Sequence, residues 1–294
     1  MNEQKERLLI VDGMALLFRS YFATAAMGNF FPNEAGVPTN AVQGYLRHVM
    51  TAEKLFSPQY LVVCWDMGAK TFRNDIYEGY KAHRPEPAPE LVPQFDMTRE
   101  ASKQMGYYNT GFVNIEADDV IGSIVEKYSE TYDITIVSGD KDLFQLLRPN
   151  VTIAIVKKGY SEYDLYTEER FTEEYGFSPE QYIDYKAFIG DNADGYPGVK
   201  GIGPKTATKL IQTYGSIEGV LANREELTKG VQTKLSADEE MLHISYKLAA
   251  IHCEVDIELK EEEMRVPKWT PHIAKAFQEA GYSLVLRYRD SLMK

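Results

Sequence analysis

The stretch EADDVIGSIVEKYSETYDITIVSGDKD (116–142) decides the fold. In its first half, Val120, Ile121, Ile124 and Val125 recur at helical spacing, which predicts a helix over 117–128 with one apolar face. Its second half carries ITIV (134–137), a short apolar run of the kind that forms a buried parallel strand, and that run ends in a carboxylate-bearing turn, SGDKD. Two other runs have the same form: LLIV (8–11) leads into VDG, and YLVVCW (60–65) leads into WDM. Between them, Val42, Leu46, Val49 and Met50 predict a helix over 40–55. Strands alternating with helices imply βαβ units and an α/β, doubly wound, mostly parallel sheet. The functional crevice of such a sheet lies beyond the carboxyl ends of its strands, where Asp12, Asp66 and Asp140 fall.

Two segments depart from the alternation. Residues 67–105 are polar and of mixed charge, with Pro85, Pro87, Pro89 and Pro93 close together, and read as a mobile insertion over the sheet edge. From about residue 170 strand signals fade, and helices are expected at 178–189, 205–213, 237–251 and 270–279. The expected organisation is therefore an α/β part, 1–170, and a helical part, 171–294.

Composition bounds the rest. The chain has 294 residues, 44% hydrophobic and 26% charged, which excludes wholesale disorder. Lys and Arg number 32 against 44 Asp and Glu, a net charge of −12. Taken whole, that balance argues against a nucleic-acid partner, since phosphates are repelled by an acidic surface. Net charge does not say where the charges sit. The apolar run Leu8–Val11 is too short for a secretory core, and nothing approaches the roughly 20 apolar residues of a membrane helix. Cys64 and Cys253 are far apart in apolar contexts and read as free thiols in a reducing, cytoplasmic compartment. The five histidines (48, 83, 243, 252, 272) show no paired spacing for zinc.

Nine acids fall at the functional edge or in the loop GDNADGYPG: Asp12, Asp66, Glu116, Asp118, Asp119, Asp140, Asp142, Asp191 and Asp194. Each alone has a plain explanation as a helix cap or dipole partner. Together they repel unless cations neutralise them. An all-oxygen ligand set selects hard ions such as Mg²⁺ or Mn²⁺, and this many acids suggest more than one ion. Paired ions of that kind promote attack of water on a phosphodiester. Composition and spacing lead as far as a metal-dependent phosphoryl hydrolase.

PGVKGIGPKTATKLI (197–211) is the second strong signal. Gly201, Ile202 and Gly203 form a tight turn entering a helix near Lys205 and Thr206, with Ile202 anchoring the turn in the core. The glycines let backbone amides approach a phosphate at a helix N-terminus. Lys200, Lys205 and Lys209 add positive charge, and no acid occurs from 195 to 217. This is a helix-hairpin-helix signature, spanning about 185–213, for contact with a nucleic-acid backbone. A phosphate-binding P-loop is excluded because Pro204 separates Gly203 from Lys205.

In these residues the chain resembles the 5′-nuclease family, comprising the 5′→3′ exonuclease domain of bacterial DNA polymerase I and the related flap endonucleases. The motifs that carry the resemblance are VDG (11–13), the strand-ending WD with FR (72–73), GYKAHRP (79–85), EADDVIGSI (116–124), SGDKDLFQLL (138–147) and GDNADGYPGVKGIGPKTA (190–207). The family's fold is a PIN-like sheet with a helical arch, expected over 67–105, followed by the hairpin domain. With no polymerase following, the chain looks like a free-standing member. The resemblance implies that Asp66, Glu116, Asp118 and Asp140 mainly hold a first metal, while Asp142, Asp191 and Asp194 support a second, with all nine acids as metal-site carboxylates. It implies that Lys81 and Arg84 act on the scissile phosphate and that Arg73 assists. It implies that Tyr80, or else Phe72 or Tyr77, stacks on an unpaired base. Lys200, Gly201, Ile202, Gly203, Lys205 and Thr206 would hold duplex DNA, with K⁺ bound by hairpin carbonyls. Where the family commonly reads Asn and an apolar residue after its last carboxylate, this chain has Gly195 and Tyr196, and a changed loop is expected there. The implied reaction is Mg²⁺- or Mn²⁺-dependent hydrolysis at 5′ ends of branched or nicked duplexes and of RNA–DNA hybrids, by a monomer, leaving a 5′-phosphate. Two other readings are a nuclease-silent, structure-specific DNA-binding protein and a PIN-like ribonuclease. The full acidic set disfavours the first, and the hairpin disfavours the second. The acidic tract 223–264 is expected to face away from substrate.

Overall fold

In the computed structural model, which describes residues 5–292, the three apolar runs lie side by side in one sheet. The outermost ends of the two expected parts, 1–4 and 293–294, fall outside the described residues. β1 (Glu6–Asp12) leads directly into α1 (Gly13–Ala25), and α2 (Asn40–Phe56) precedes β2 (Tyr60–Cys64). Then come α3 (Phe72–Ile76), α4 (Val92–Met105), β3 (Tyr108–Thr110), α5 (Ala117–Tyr128) and β4 (Tyr132–Ser138). A 3₁₀ turn (Asp142–Leu146), β5 (Val151–Val156) and β6 (Tyr163–Tyr166) complete the sheet, whose order is β3-β2-β1-β4-β5-β6. Every neighbouring pair is parallel except β5 and β6.

Strand alternation sorts the central residues into two cores. Leu8, Ile10, Val62, Ile134 and Ile136 face Val120, Ile121, Ile124 and Val125 of α5. Leu9, Val11, Leu61, Val63 and Val137 face Val42, Tyr45, Leu46 and Val49 of α2. Covered on both faces, these strands must be apolar throughout, which is why they read as unbroken runs. Register then fixes the site. Asp12 pairs with Cys64 across β1 and β2, and Val11 with Val137 across β1 and β4, so all three strands end along one line.

The helical part contains α6 (Glu168–Tyr175), α7 (Tyr182–Ile189), α8 (Pro204–Tyr214), α9 (Ile217–Ala222) and the long α10 (Lys229–Ala249). It shares the first core with the sheet. Phe144, Phe171, Tyr175 and Tyr182 stack with neighbouring ring centroids 4.4–6.2 Å apart and tie α6 and α7 to the 3₁₀ turn.

Two expectations need correction, and three strands go beyond what the sequence reading offered. The strands β3, β5 and β6 carry no separate expectation from sequence; β3 is only three residues, Tyr108–Thr110, and β6 an antiparallel edge. The arch expected over 67–105 is narrower, because α4 buries Gln94, Thr98, Ala101, Ser102 and Met105. Gln94 Oε1 accepts the Ala41 N–H at 2.7 Å, and Gln94 Nε2 donates to Asn40 Oδ1 at 2.8 Å, so α4 docks on α2 through polar groups that leave no apolar stripe to read. Turns and extended chain occupy about 67–71 and 77–91. Finally, the segment 171–294 is not helical domain throughout. Residues 251–255 run beside α5, with the Ile251 N–H on Gln145 Oε1 and the His252 N–H on Asp119. After α11 (Glu261–Met264), α12 (Pro271–Glu279) and α13 (Ser283–Leu292) insert Ile273, Phe277, Tyr282 and Val285 into the core behind α2. No described helix is long and apolar enough to cross a membrane.

Candidate functional site

Five of the nine acids, Asp12, Asp66, Glu116, Asp118 and Asp140, line one cleft of about 290 Å³ at the carboxyl ends of β1, β2 and β4, with Lys81 and Arg84 on its wall. Asp12 caps α1, accepting the Ala15 N–H at 2.9 Å, and Ser138 Oγ donates to its other oxygen at 2.7 Å. Burial, reinforced by Asp66 and Asp140, pushes its carboxyl up to about 7. Asp66 accepts the Ala117 N–H at 2.8 Å, which joins the end of β2 to the start of α5. Its carboxyl is raised by desolvation in the cleft. Asp118 is raised well above the ordinary range by desolvation and then by Asp140, Asp12 and Asp66. Glu116 differs. Burial opposes its charge, yet Lys81 and Arg73 outweigh burial and hold it below the usual range. Lys81 Nζ lies 2.9 Å from Glu116 Oε2, and Thr71 Oγ1 donates to Oε1 at 3.1 Å.

The other acids belong to three neighbouring groups. Asp142 and Asp191 share the ammonium of Lys186, which lies 2.6 Å from Asp142 and also pairs with Asp191. Burial pushes Asp142 up to about 7 with Asp140 adding to it, whereas Lys186 overcomes burial to hold Asp191 low. Asp194 pairs with Arg84 at 2.7 Å and accepts from the Tyr80 hydroxyl at 3.1 Å. Asp119 points the other way. Fully buried, it takes both guanidinium arms of Arg73 at 2.8 and 2.7 Å and the His252 N–H at 2.8 Å.

Several expected roles change accordingly. Asp119 is the buried counter-ion of Arg73 rather than a lining group of the cleft. Arg73 is 2% exposed and also donates to the Leu248 and Ala250 carbonyls, so it cannot meet DNA. Tyr80 is equally buried, its hydroxyl donating to Glu116 and Asp194, and its ring is closed to any base. Phe72 packs edge-on to His252, and Tyr77 packs beside Tyr80 and Tyr196. Lys81 adopts φ +55°, a left-handed value uncommon outside glycine, fixed by its N–H on the Asp194 carbonyl at 2.7 Å. Gly195 stands at φ +79°, and a Cβ there would lie 2.9 Å from both the Gly79 carbonyl oxygen and His83 Nδ1. This departure from the family pattern thus lets the 191–196 loop press against the 79–83 turn.

Sequence reading missed Lys186. A lysine on the short helix YIDYKAFI, five residues before Asp191, was the available signal. Ser138 and Thr71, which orient Asp12 and Glu116, carried none.

At the hairpin, Ile202 is 3% exposed and anchors the turn, so its own side chain cannot reach DNA. Lys200, Gly201, Gly203 and Lys205 are exposed, and Thr206 is half-buried at the start of α8. Lys234 Nζ donates to the Gly201 carbonyl at 2.7 Å, and Asp238 accepts the Lys200 N–H at 2.8 Å. The acidic tract therefore does not turn away as a whole, since α10 grips the hairpin.

The donor set suits a hard cation: all oxygen, with Asp12, Asp66, Asp118 and Asp140 raised first by burial and then by neighbouring acids. Among the described residues no three His, Cys, Asp or Glu side chains close into a ready cation cage. An open cleft is compatible with Mg²⁺, which keeps several of its waters and takes few direct carboxylates.

Comparison with known proteins gives a consistent placement. Residues 7–176 match the model of the 5′-3′ exonuclease N-terminal resolvase-like domain, and residues 177–272 that of the 5′-3′ exonuclease C-terminal SAM fold. A 5′-3′ exonuclease of Bacillus subtilis (strain 168) is 51% identical over 257 residues, 87% of this chain and 86% of that one. A 5′-3′ exonuclease of Aquifex aeolicus (strain VF5) is 37% identical over 291 residues, 98% of this chain and 96% of its own. The fold is that of the T5 D15 protein co-crystallised with metal ions, with a TM-score of 0.68 at 21% identity and 98% of both chains covered. With a parallel sheet, an acidic cleft at its strand ends and both domain models matched in order, the chain belongs to the 5′-3′ exonuclease family of nucleases.

Proposed function

We propose that this protein is a divalent-metal-dependent 5′→3′ exonuclease and structure-specific 5′ flap endonuclease that hydrolyses phosphodiester bonds and leaves a 5′-phosphate. Its substrates are branched, nicked or 5′-ended duplex DNA and RNA–DNA hybrids, and it acts as a monomer in replication and repair. The observation that carries this reading is the cleft that gathers Asp12, Asp66, Glu116, Asp118 and Asp140 opposite Lys81 and Arg84.

Asp66, Glu116, Asp118 and Asp140 would hold Mg²⁺ or Mn²⁺, and Asp142, Asp191 and Asp194 would serve a second position, where Lys186 balances Asp142 and Asp191 and Arg84 balances Asp194. An ion held there would supply a nucleophilic water at neutral pH and would offset negative charge developing on the phosphoryl oxygens. Asp12 lines the cleft beside them, its orientation set by Ser138 and the α1 amide. Lys81 and Arg84 rest on Glu116 and Asp194, from which each can turn to a non-bridging oxygen as charge grows in the transition state. Arg84, half exposed, meets the incoming phosphate first. The hairpin amides and Lys200, Lys205 and Thr206 hold the duplex arm through its phosphates, which gives affinity without sequence preference. We place the division of labour near residue 170, with the strand-end carboxylates before it and the duplex grip after it, and with Asp191 and Asp194 contributed to the cutting site from the second part. A K⁺ ion at the hairpin would use carbonyls other than that of Gly201, which Lys234 already engages.

The test is cleavage of a 5′-labelled flap and of an RNA–DNA hybrid in Mg²⁺, with products sized on a gel and Asp118→Ala as the blank. Mg²⁺-dependent release of short 5′ fragments by the parent and at least about a 100-fold loss in the variant are expected. Failure to cut either substrate rejects the reading.

A further inference from the structure

Tyr196 stands where the family commonly has an apolar residue, and its hydroxyl is a group that the fold itself does not use. The residue is 1% exposed, and its ring packs with Tyr80, Leu248 and Ala249. Its backbone is pinned to Asp191: the Asp191 N–H donates to the Tyr196 carbonyl at 2.8 Å, and the Tyr196 N–H to the Asp191 carbonyl at 3.1 Å. The phenol hydroxyl is buried, yet it has no hydrogen-bond partner among the described residues. The neighbouring Tyr80 hydroxyl, by contrast, reaches Glu116 and Asp194. The charged groups that bear on the Tyr196 hydroxyl are Asp142, Lys186, Asp191 and Asp194, which are the second group of acids and the lysine that pairs with two of them.

A buried O–H with nothing to bond is destabilising, and phenylalanine would fill the same space without it. The hydroxyl is therefore matched to something that the surrounding side chains do not supply. Asp142 and Asp191 already share Lys186, and Asp191 Oδ1 also takes the Ala193 and Asp194 N–H groups at 2.6 and 3.0 Å. A hard divalent ion at these acids would keep part of its water shell. A phenol can accept from one such water and donate to another. We propose that Tyr196 is a positioning residue for the second cation, its hydroxyl bonded to water kept by a divalent ion at Asp142, Asp191 and Asp194. Buried as it is, it acts through that ion and not on the phosphate. The proposal rests on the reading that these three aspartates serve a second metal.

The experiment is Mn²⁺ binding to the metal-free full chain, followed by the EPR signal of the free ion, with melting measured in EDTA and in Mn²⁺. The parent should show two classes of site, and Asp191→Asn identifies the second position as the class it weakens. Tyr196→Phe should weaken that same class about tenfold and leave the other within about twofold. In EDTA the Tyr196→Phe variant should melt at or above the parent's temperature, since it loses only an unmet hydroxyl. In Mn²⁺ its melting temperature should rise less than the parent's. Unchanged affinity in both classes, or equal weakening of both, overturns the proposal. So does melting in EDTA more than about 2 °C below the parent, which would show that the hydroxyl serves the fold. A parent with a single class, or an Asp191→Asn variant that weakens neither, rejects the second metal position and the role of Tyr196 with it. If Asp191→Asn weakens one class and Tyr196→Phe does not, the role of Tyr196 alone falls.

Discussion

At the scale of the residue, burial decides which charged groups are chemical and which are structural. Arg73 and Asp119 form a two-armed pair almost without solvent, a geometry that holds α3, α5 and the 250–252 segment together. Arg73→Met would strand the Asp119 charge and should cost about 3–5 kcal/mol in urea unfolding. A change below about 1 kcal/mol would show that the pair does not hold these segments. Tyr80 offers a sharper discrimination. Tyr80→Phe removes the donor to Glu116 and Asp194 and should lower stability by about 1–3 kcal/mol, with KM for a flap substrate unchanged. A stacking role would give the reverse, a raised KM at constant stability.

At the scale of the element, polar docking and late return of the chain matter most. α4 lies on α2 through Gln94 and Asn40, so about 77–91 is the non-helical span beside the cleft, anchored there by Tyr80, Lys81 and Arg84. α12 and α13 complete the core behind α2, far along the chain from the sheet they cover. Phe277, with no exposed surface, should therefore act as a core residue of the α/β body. Phe277→Ala is expected to cost about 3–5 kcal/mol by chemical denaturation, with the loss appearing in the single transition of the nuclease body. Cleavage at a temperature well below the melting point should be little affected.

At the scale of the molecule, the net charge of −12 resolves into a placed site. Five acids share one cleft, and two of the nine, Asp12 and Asp142, are held up to about 7, first by burial and then by neighbouring acids. Unfolded aspartates titrate near about 4, so between about pH 4 and pH 7 the folded chain binds more protons than the unfolded one. Stability of the metal-free protein should then fall as pH rises through that window. Divalent cations bind the ionised carboxylates and reverse the trend by mass action. Calorimetry of EDTA-treated protein should show these groups lowering the melting temperature between about pH 5 and about pH 8, with millimolar Mg²⁺ raising it more at the higher pH. Equal Mg²⁺ effects at both pH values would contradict the linkage.

Much of this was legible in the residues alone. The runs 8–11, 60–65 and 134–137 announced a parallel sheet because strands covered on both faces have no polar side to show. The carboxylate after each run announced where chemistry would lie, since parallel strands end together. The glycines at 201 and 203 announced a turn that backbone amides can use. Other features were not legible. Nothing in spacing separates Asp119 from Asp118, adjacent residues on one helix turn; the tertiary fold gives one to the cleft and the other to Arg73. Nothing in 67–105 showed that α4 docks through amides, because polar contacts leave no hydrophobic period to read. Lys186 and Lys234 gain their partners only through the packing of α7 and α10 against neighbouring loops. The sequence by itself determined the three central strands, their acidic edge and the hairpin, which depend on local pattern and strand direction. Only the tertiary structure decided which charge meets which, because ion pairs form between elements whose sequence separation carries no periodic signal.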